Sequence, residues 1–178
     1  MLRLFAAIEI PETQRLRLDL VRSPLPGAKW VDPADMHITL RFAGDIDNRV
    51  ADDFAGFLAG IAIQPFEARI AEVGAFGGND PRAVFAGVEA DGALETLQRA
   101  TERAARSAGL PPEPRGFKPH VTLARLKGTR PDVVARFLGS RAALRLEPFV
   151  VDRFVLFSSR PKAGGGPYVV EDVYPLRY

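Results

Sequence analysis

Both histidines of the chain open the same four-residue pattern. His37 is followed by Ile-Thr-Leu, and His120 is followed by Val-Thr-Leu. Side chains alternate between the two faces of a strand, so the histidine and the threonine of each pattern share one face and the aliphatic residues share the other. Each pattern therefore predicts a strand with a polar face that can carry chemistry and an apolar face that packs in a core.

The segments around the two patterns follow the same order in each half of the chain. The halves, approximately 1–80 and 81–178, are each predicted to run strand, helix, strand, helix, strand, with the histidine strand in the middle. Pairing of the halves about a pseudo-twofold axis would set the two histidine strands on facing walls of one groove. Loose alternation of strands and helices without duplication is the alternative, and the matched histidine patterns favour duplication.

We therefore predict an α+β fold of two lobes, in which antiparallel-rich sheets line a central cleft. The lobes are expected to interleave within a single domain of residues 1–178. Residues 144–157 are predicted to hold two strands with a break near Glu147-Pro148. A glycine-rich turn at 164–166 should separate them from a last strand at 168–176.

Composition limits the class of protein. The 178 residues are 47% hydrophobic and 26% charged, with a net charge of +2, which is ordinary for a globular domain and too mild to identify a nucleic-acid binder. The absence of cysteine excludes disulfides, thiolate metal sites and cysteine nucleophiles. We see no signal-peptide pattern and no apolar run long enough to span a membrane. The expected protein is a cytoplasmic monomer that does not associate with membranes.

Two imidazoles and two hydroxyls in one cleft suit chemistry at a phosphate. A neutral imidazole can take a proton from a nucleophile while a charged one gives a proton to a leaving group, as an in-line displacement at phosphorus requires. The hydroxyls of Thr39 and Thr122 can donate to the non-bridging oxygens. A single histidine in a half-buried strand is more often a structural side chain. Its repetition with the same threonine favours a functional pair, His37 and His120.

A metal site is the alternative use of the two histidines. Zinc takes three or four ligands from histidine, cysteine or carboxylate side chains. The nearest acidic residues lie in predicted turns and lack ligand spacing: Asp32, Asp35 and Asp45. A phosphodiester carries one negative charge, so its cleavage needs metal ions less than transfer from a nucleoside triphosphate does. We therefore predict no metal and no other cofactor.

Basic and aromatic residues flank both patterns: Lys29, Arg41, Arg115, Lys118, Arg125 and Lys127, with Trp30, Phe42 and Phe117. Arg125 is the best candidate to bind phosphate oxygens, although its offset of five from His120 requires a bend or bulge to turn it inward. Strand parity predicts that Arg41 lies on the face of His37 and Thr39. Each of the three aromatic residues could stack on a base, although aromatic residues at strand ends are more often core.

The paired strands, within "WV…HITLRFAG" and "FKPHVTLAR", resemble those of the two-histidine (2H) phosphoesterase superfamily. The segments "RLFAAIEIP", "PRAVFAGVE" and "FSSRPKAGGGPYVV" are similar to the RNA 2',3'-cyclic phosphodiesterases, long called 2'-5' RNA ligases. The resemblance implies a two-lobed fold and metal-independent opening of an RNA or nucleotide 2',3'-cyclic phosphate to a 2'-phosphomonoester.

The resemblance also implies a role for each site residue. His37 and His120 would be the general acid and base, Thr39 and Thr122 would hold the phosphate, and Arg125 would help to bind it. We assign His120 to activating water and His37 to protonating the departing 3'-oxygen, an assignment that the pseudo-symmetry allows to be inverted.

Three other functions remain open at this point. The same histidines could join or cleave a 2'-5' linkage if an RNA hydroxyl replaced water. The substrate could be another of those used within the superfamily, such as a cyclic nucleotide or a 2'-5' oligoadenylate. The chain could also be a binding protein for RNA ends that has lost turnover, although binding alone has no need of two proton-transfer groups.

Overall fold

The computed structural model describes residues 3–159 and 168–177, and the predicted turn at 164–166 lies outside these ranges. The described residues form nine strands and four α-helices. The strands are β1 (Arg3–Glu9), β2 (Ala28–Trp30), β3 (His37–Asp45), β4 (Phe66–Phe76), β5 (Ala83–Glu89), β6 (His120–Leu126), β7 (Phe149–Val151), β8 (Arg153–Ser159) and β9 (Val169–Pro175). The helices are α1 (Glu12–Asp19), α2 (Asn48–Ala59), α3 (Ala93–Ser107) and α4 (Pro131–Ser140).

The strands form one curled antiparallel sheet with the two histidine strands at its centre. The order is β7-β4-β5-β6-β3-β1-β8-β9, and β2 pairs with β6. Outward from the centre, β6-β5-β4-β7 therefore mirrors β3-β1-β8-β9. Strand β4 belongs to the first half of the sequence but lies beside β5, while β8 belongs to the second half and lies beside β1. The predicted α+β duplication about a pseudo-twofold axis is confirmed, and the two halves exchange strands β4 and β8.

The helices cover one face of this sheet. The aliphatic side chains of the histidine patterns, including Ile38 and Val121, pack there with buried residues of α2, α3 and α4 such as Phe54, Leu97 and Phe137. Helix α2 begins where the side chain of Asp47 accepts a hydrogen bond from the backbone N–H of Val50 at 2.9 Å. The face of β1 and β8 away from the helices carries a small separate apolar cluster: Phe5, Ala7, Val155 and Phe157. The sheet thus keeps one face for the core and leaves the other for a cleft.

The predicted strand break near Glu147-Pro148 is present, and a second break follows it. Residues 144–146 pair with β4, this pairing stops at Glu147-Pro148, and β7 and β8 are then separated at Asp152. Pairing as β7 begins only after Pro148, which has no N–H to donate to a ladder. The chain must then leave β4, the partner of β7, and join β1, the partner of β8, so Asp152 is where it crosses between the two ends of the sheet order.

Candidate active site

The pairing of β3 with β6 brings the two histidine patterns together. Ile38 is the register partner of Val121 in this antiparallel pair. The register sets His37 opposite Thr122 and His120 opposite Thr39, all four on the face away from the core. Residues directly opposite have Cβ atoms about 5 Å apart, and diagonal neighbours about 7 Å. The imidazoles therefore occupy diagonal corners of a four-residue square around the pseudo-twofold axis.

Backbone hydrogen bonds fix the orientation of both imidazoles. Nδ1 of His37 donates to the carbonyl oxygen of Asp35 at 2.8 Å, and Nδ1 of His120 donates to that of Lys118 at 2.7 Å. A carbonyl oxygen only accepts, so the hydrogen of each neutral ring is on Nδ1 and Nε2 carries the free lone pair. The hydroxyl of Thr39 donates to Nε2 of His37 at 3.0 Å. In both cases the carbonyl that anchors the ring belongs to the residue two positions before the histidine.

Aromatic rings lie next to both histidines. The ring of His37 lies 5.0 Å from that of Phe5 and 5.2 Å from that of Tyr168, between ring centroids. The ring of His120 lies 4.9 Å from that of Phe76 and 5.4 Å from that of Phe85. These residues were not identified from the sequence, because only the register between strands reveals which aromatic residue lies next to each histidine.

Burial lowers the pKa of His37 to about 4, because the charged imidazolium is poorly solvated there. The hydrogen bond to the carbonyl of Asp35 opposes this shift, and the nearby charges of Arg125 and His120 add to it. His37 is therefore neutral in the free protein near neutral pH. Burial also raises the pKa of the neighbouring Asp35 carboxyl, against a hydrogen bond from the backbone of Tyr168.

Arg125 reaches the cleft through a β-bulge. In the pairing of β5 with β6, Val84 is opposite Ala124 and Phe85 is opposite Thr122, so Leu123 is an extra residue. An extra residue reverses the alternation of side chains beyond it, which returns Arg125 to the face of His120 and Thr122. The bulge that the sequence required for an inward arginine is present, and the positive charge of Arg125 acts on His37.

The prediction for Arg41 was wrong, because β3 contains the corresponding bulge at Leu40. Beyond this bulge Arg41 turns to the core face, where it is 6% exposed. Its Nε donates to the carboxylate of Glu102 on α3 at 2.6 Å, and its other nitrogens donate to the carbonyl oxygens of Phe42 and Pro111. Arg41 thus ties β3 to α3 and to the loop before β6, on the side away from the cleft.

The three aromatic candidates for base stacking have different surroundings. Phe42 lies on the cleft face, 45% exposed, at the position equivalent to Arg125. Trp30 is paired with Ala124, which is buried, and its ring centroid lies 5.8 Å from that of Phe137 in α4. Phe117 packs against the main core. Of the three predicted residues, the structure brings Phe42 to the cleft and directs Trp30 and Phe117 to the core.

The described ranges, 3–159 and 168–177, contain no group of three or more histidine or acidic side chains arranged to hold a metal ion. Among those same residues, no helix is both long and apolar enough to span a membrane.

Comparisons with known proteins identify similar sequences and a similar fold. Residues 7–162 match the family model described as the 2'-5' RNA ligase superfamily. The RNA 2',3'-cyclic phosphodiesterase of Aeropyrum pernix is 40% identical over 118 residues, which are 65% of this chain and 66% of that protein. The protein of the same name from Methanothermobacter thermautotrophicus is 30% identical over 190 residues, covering 98% of both chains. The fold is similar to the crystal structure of Escherichia coli LigT complexed with 3'-AMP, with a TM-score of 0.83, 22% identity and 99% of each chain covered.

Proposed function

The chain belongs to the 2'-5' RNA ligase superfamily, and we propose that it hydrolyses the 2',3'-cyclic phosphate of RNA ends or nucleotides to a 2'-phosphomonoester. The observation that carries this proposal is the pair of imidazoles at diagonal corners of one cleft. Each is anchored through Nδ1, which leaves the lone pair of Nε2 free to accept a proton. Two relatives named RNA 2',3'-cyclic phosphodiesterase support the same activity.

In the proposed reaction, water attacks the phosphorus of the cyclic diester in line with the 3'-oxygen. Nε2 of His120 takes a proton from the water as the new P–O bond forms. The bond between phosphorus and the 3'-oxygen breaks, and His37 gives a proton to that oxygen. The product keeps its phosphate on the 2'-oxygen, and the two histidines finish with exchanged protonation states, which solvent resets.

For His37 to donate a proton, the bound substrate must raise the pKa of its imidazole. Burial keeps this imidazole neutral in the free protein. The phosphate monoanion lies between the histidines in the proposed complex, and an opposite charge at that distance raises the pKa of an imidazole. The substrate itself thus favours the protonated form that its cleavage needs.

Three side chains suit the charge that develops on the non-bridging oxygens. The hydroxyls of Thr39 and Thr122 share the face of the histidines, and the guanidinium of Arg125 returns to it after the bulge. Fixed donors aimed at developing charge commonly provide the largest single contribution to such catalysis. No metal ion takes part in this proposal, because the two imidazoles move the protons and Arg125 balances the charge.

The test is turnover of an oligoribonucleotide ending in a 2',3'-cyclic phosphate, in the presence of EDTA, with the position of the product phosphate mapped. We expect a 2'-phosphate, and at least a hundredfold lower kcat in His37→Ala and in His120→Ala. Thermal unfolding of both variants checks that they remain folded. A product with a 3'-phosphate, or turnover that survives both substitutions, would contradict the proposal.

The name of the family model supports a second candidate, joining of RNA ends through a 2'-5' linkage. An RNA hydroxyl would replace water at the same phosphorus, and the same histidines would move the protons. We expect hydrolysis to dominate, because water is far more concentrated than any RNA hydroxyl. A mixture in which joined strands exceed the phosphomonoester would favour ligation instead, and unchanged substrate bound by the wild type would favour a non-catalytic binding protein.

A further inference from the structure

Strand β2 is firmly attached beside the end of β6. Gly27 has φ +80°, and a Cβ atom there would lie 2.3 Å from the carbonyl oxygen of Lys127. The backbone N–H of Lys127 donates to the carbonyl of Gly27 at 3.0 Å, and the buried hydroxyl of Thr129 donates to that of Pro26 at 2.6 Å. Among the described residues, the segment before β6 forms no equivalent strand. This attachment is therefore particular to one side of the pseudo-twofold axis.

The attachment sets Lys29 opposite Arg125. The two residues are register partners in the pairing of β2 with β6, so their side chains leave the same face of the sheet. Both are exposed. Partners in such a pair have Cβ atoms about 5 Å apart, and like charges directly opposite are unfavourable. Lys29 consequently lies on the cleft face, next to the arginine that returns there after the bulge.

Within the described part of the chain, no acidic side chain forms an ion pair with either cation. The ion pairs formed within residues 3–159 and 168–177 involve neither Lys29 nor Arg125. The remaining positions, 1–2, 160–167 and 178, contain no aspartate or glutamate. Two adjacent, unbalanced positive charges on a cleft face favour an anionic ligand.

Strands β3 and β6 are antiparallel, so Phe42 and Arg125, each five residues after its histidine, lie at opposite ends of the cleft with the histidines between them. We call the end at Lys29 and Arg125 the cationic end and the end at Phe42 the aromatic end. A terminal nucleotide whose phosphate is at the histidines has two other parts to accommodate, namely its base and the phosphodiester on its 5' side. The base suits the aromatic end, and the phosphodiester suits the cationic end.

We propose that Lys29 binds the phosphodiester on the 5' side of the terminal nucleotide, so that the preferred substrate is a dinucleotide or longer RNA. This inference rests on the proposed function. It makes Lys29 a residue that determines specificity, because a cyclic mononucleotide lacks the group that Lys29 contacts. Arg125 lies directly opposite this lysine, on the neighbouring strand.

The experiment compares Lys29→Gln with the wild type on two substrates, a short RNA ending in a 2',3'-cyclic phosphate and the corresponding 2',3'-cyclic mononucleotide. We expect kcat/KM to fall about tenfold on the RNA, as for loss of one charge-assisted contact, and to stay within about twofold on the mononucleotide. Arg103→Gln removes an exposed positive charge from α3, on the opposite face of the sheet, and is the charge-matched control.

A second form of the substrate locates the contact. An RNA whose last phosphodiester is an uncharged methylphosphonate should be as poor a substrate for the wild type as the ordinary RNA is for Lys29→Gln, and the two changes together should add little. Equal losses on RNA and mononucleotide would overturn the proposal, because Lys29 would then act at the reacting phosphate. No loss on either would overturn it as well.

A binding experiment distinguishes failure of this inference from failure of the proposed function. If the wild type turned over neither substrate, the proposed function would fail. Fluorescence anisotropy with an uncleavable 2'-O-methyl dinucleotide carrying a terminal 3'-phosphate would then decide the role of Lys29. About tenfold weaker binding by Lys29→Gln, absent for the methylphosphonate form, would support the subsite, and unchanged binding would refute it.

Discussion

The two histidine strands have the same backbone course but present different side chains. Each contains an extra residue three positions after its histidine, Leu40 in β3 and Leu123 in β6. Each bulge returns the residue five positions after the histidine to the cleft face. That residue is Phe42 in β3 and Arg125 in β6. Duplication therefore supplies two matched imidazoles, while divergence at one equivalent position gives the cleft an aromatic end and a cationic end.

The layers beneath the histidines differ in a related way. In β1, the large Phe5 is paired with Phe42 and with Phe157, and the small Ala7 is paired with Val155. In the other half the large and small positions are exchanged. Ala83 is paired with Arg125 and with Phe76, and Phe85 is paired with Gly74. The small Ala83 leaves space under the arginine, and the absence of a side chain at Gly74 leaves space for the ring that supports His120.

The largest effect of breaking this asymmetry should follow the loss of Arg125. Arg125→Gln removes the guanidinium that faces the cleft and acts on His37. Loss of a preorganised donor to developing charge commonly lowers kcat by 10²–10³-fold, or about 3–4 kcal/mol. Steady-state kinetics on a cyclic-phosphate RNA measure this, with Arg103→Gln as the control. A loss below about threefold would show that the cationic end of the cleft plays no part in the reaction.

The acid stability of the fold should depend on His37. Its pKa is 6.5 in an unfolded chain and about 4 in the fold, so between these values the unfolded state binds more protons. The neutral ring therefore stabilises the fold fully above pH 6.5, and this contribution is lost as the pH falls towards 4. The difference of about 2.5 pH units corresponds to at most about 3 kcal/mol.

Urea unfolding between pH 7.5 and 4.5 tests this contribution. The free energy of unfolding should fall with acid less steeply in His37→Gln than in the wild type, whereas His120→Gln should keep most of the wild-type slope because it keeps His37. Parallel curves for the wild type and His37→Gln would contradict the shifted pKa.

A smaller effect is expected at the aromatic end. Phe42→Ala removes an exposed ring from the cleft face, and stacking of one base on an aromatic side chain is worth about 1–3 kcal/mol. We expect about tenfold weaker binding of a short RNA to the variant, measured by fluorescence anisotropy. A matched RNA with an abasic terminal residue should bind equally to the wild type and to Phe42→Ala. A difference between the two proteins on the abasic RNA would show that Phe42 acts on something other than a base.

The smallest effect concerns the support of His120. A Cβ atom at Gly74 would lie 2.5 Å from Cζ of Phe85, whose buried ring stacks on Phe76 at 4.5 Å and has little freedom to move. Gly74→Ala should therefore lower the free energy of unfolding by about 1–2 kcal/mol. Gly56→Ala is the control, since nothing lies within 4 Å of its Cβ and alanine should stabilise α2 by about 0.5–1 kcal/mol. A Gly74→Ala variant as stable as the wild type would refute the close packing.

The repeated patterns were sufficient to predict the fold and the meeting of the histidines, because alternation along a strand determines which side chains share a face. Arg125 was also predicted from the sequence, with the bulge that its position required. Alternation counted along β3 without a bulge placed Arg41 on the wrong face of the sheet. The lysine on β2 and the aromatic residues beneath each histidine depend on which strands become neighbours, and a local pattern does not contain that information.

Trp30 shows the same limit. Its proximity to the first histidine pattern along the chain suggested a base-stacking role, yet residues 31–36, which include the 3₁₀ turn Pro33–Asp35, separate β2 from β3. The two strands pair with different parts of β6, so Trp30 follows the buried Ala124 into the core while His37 faces the cleft.

The most direct test of the roles of His37 as general acid and His120 as general base uses a cyclic phosphate with sulfur in place of the bridging 3'-oxygen. A thiolate leaves without a proton, so loss of the general acid should matter little for this substrate. We predict that His37→Ala recovers most of the wild-type rate on the sulfur substrate and that His120→Ala remains inactive on it. Recovery of His120→Ala in place of His37→Ala, or of neither variant, would contradict the proposed roles.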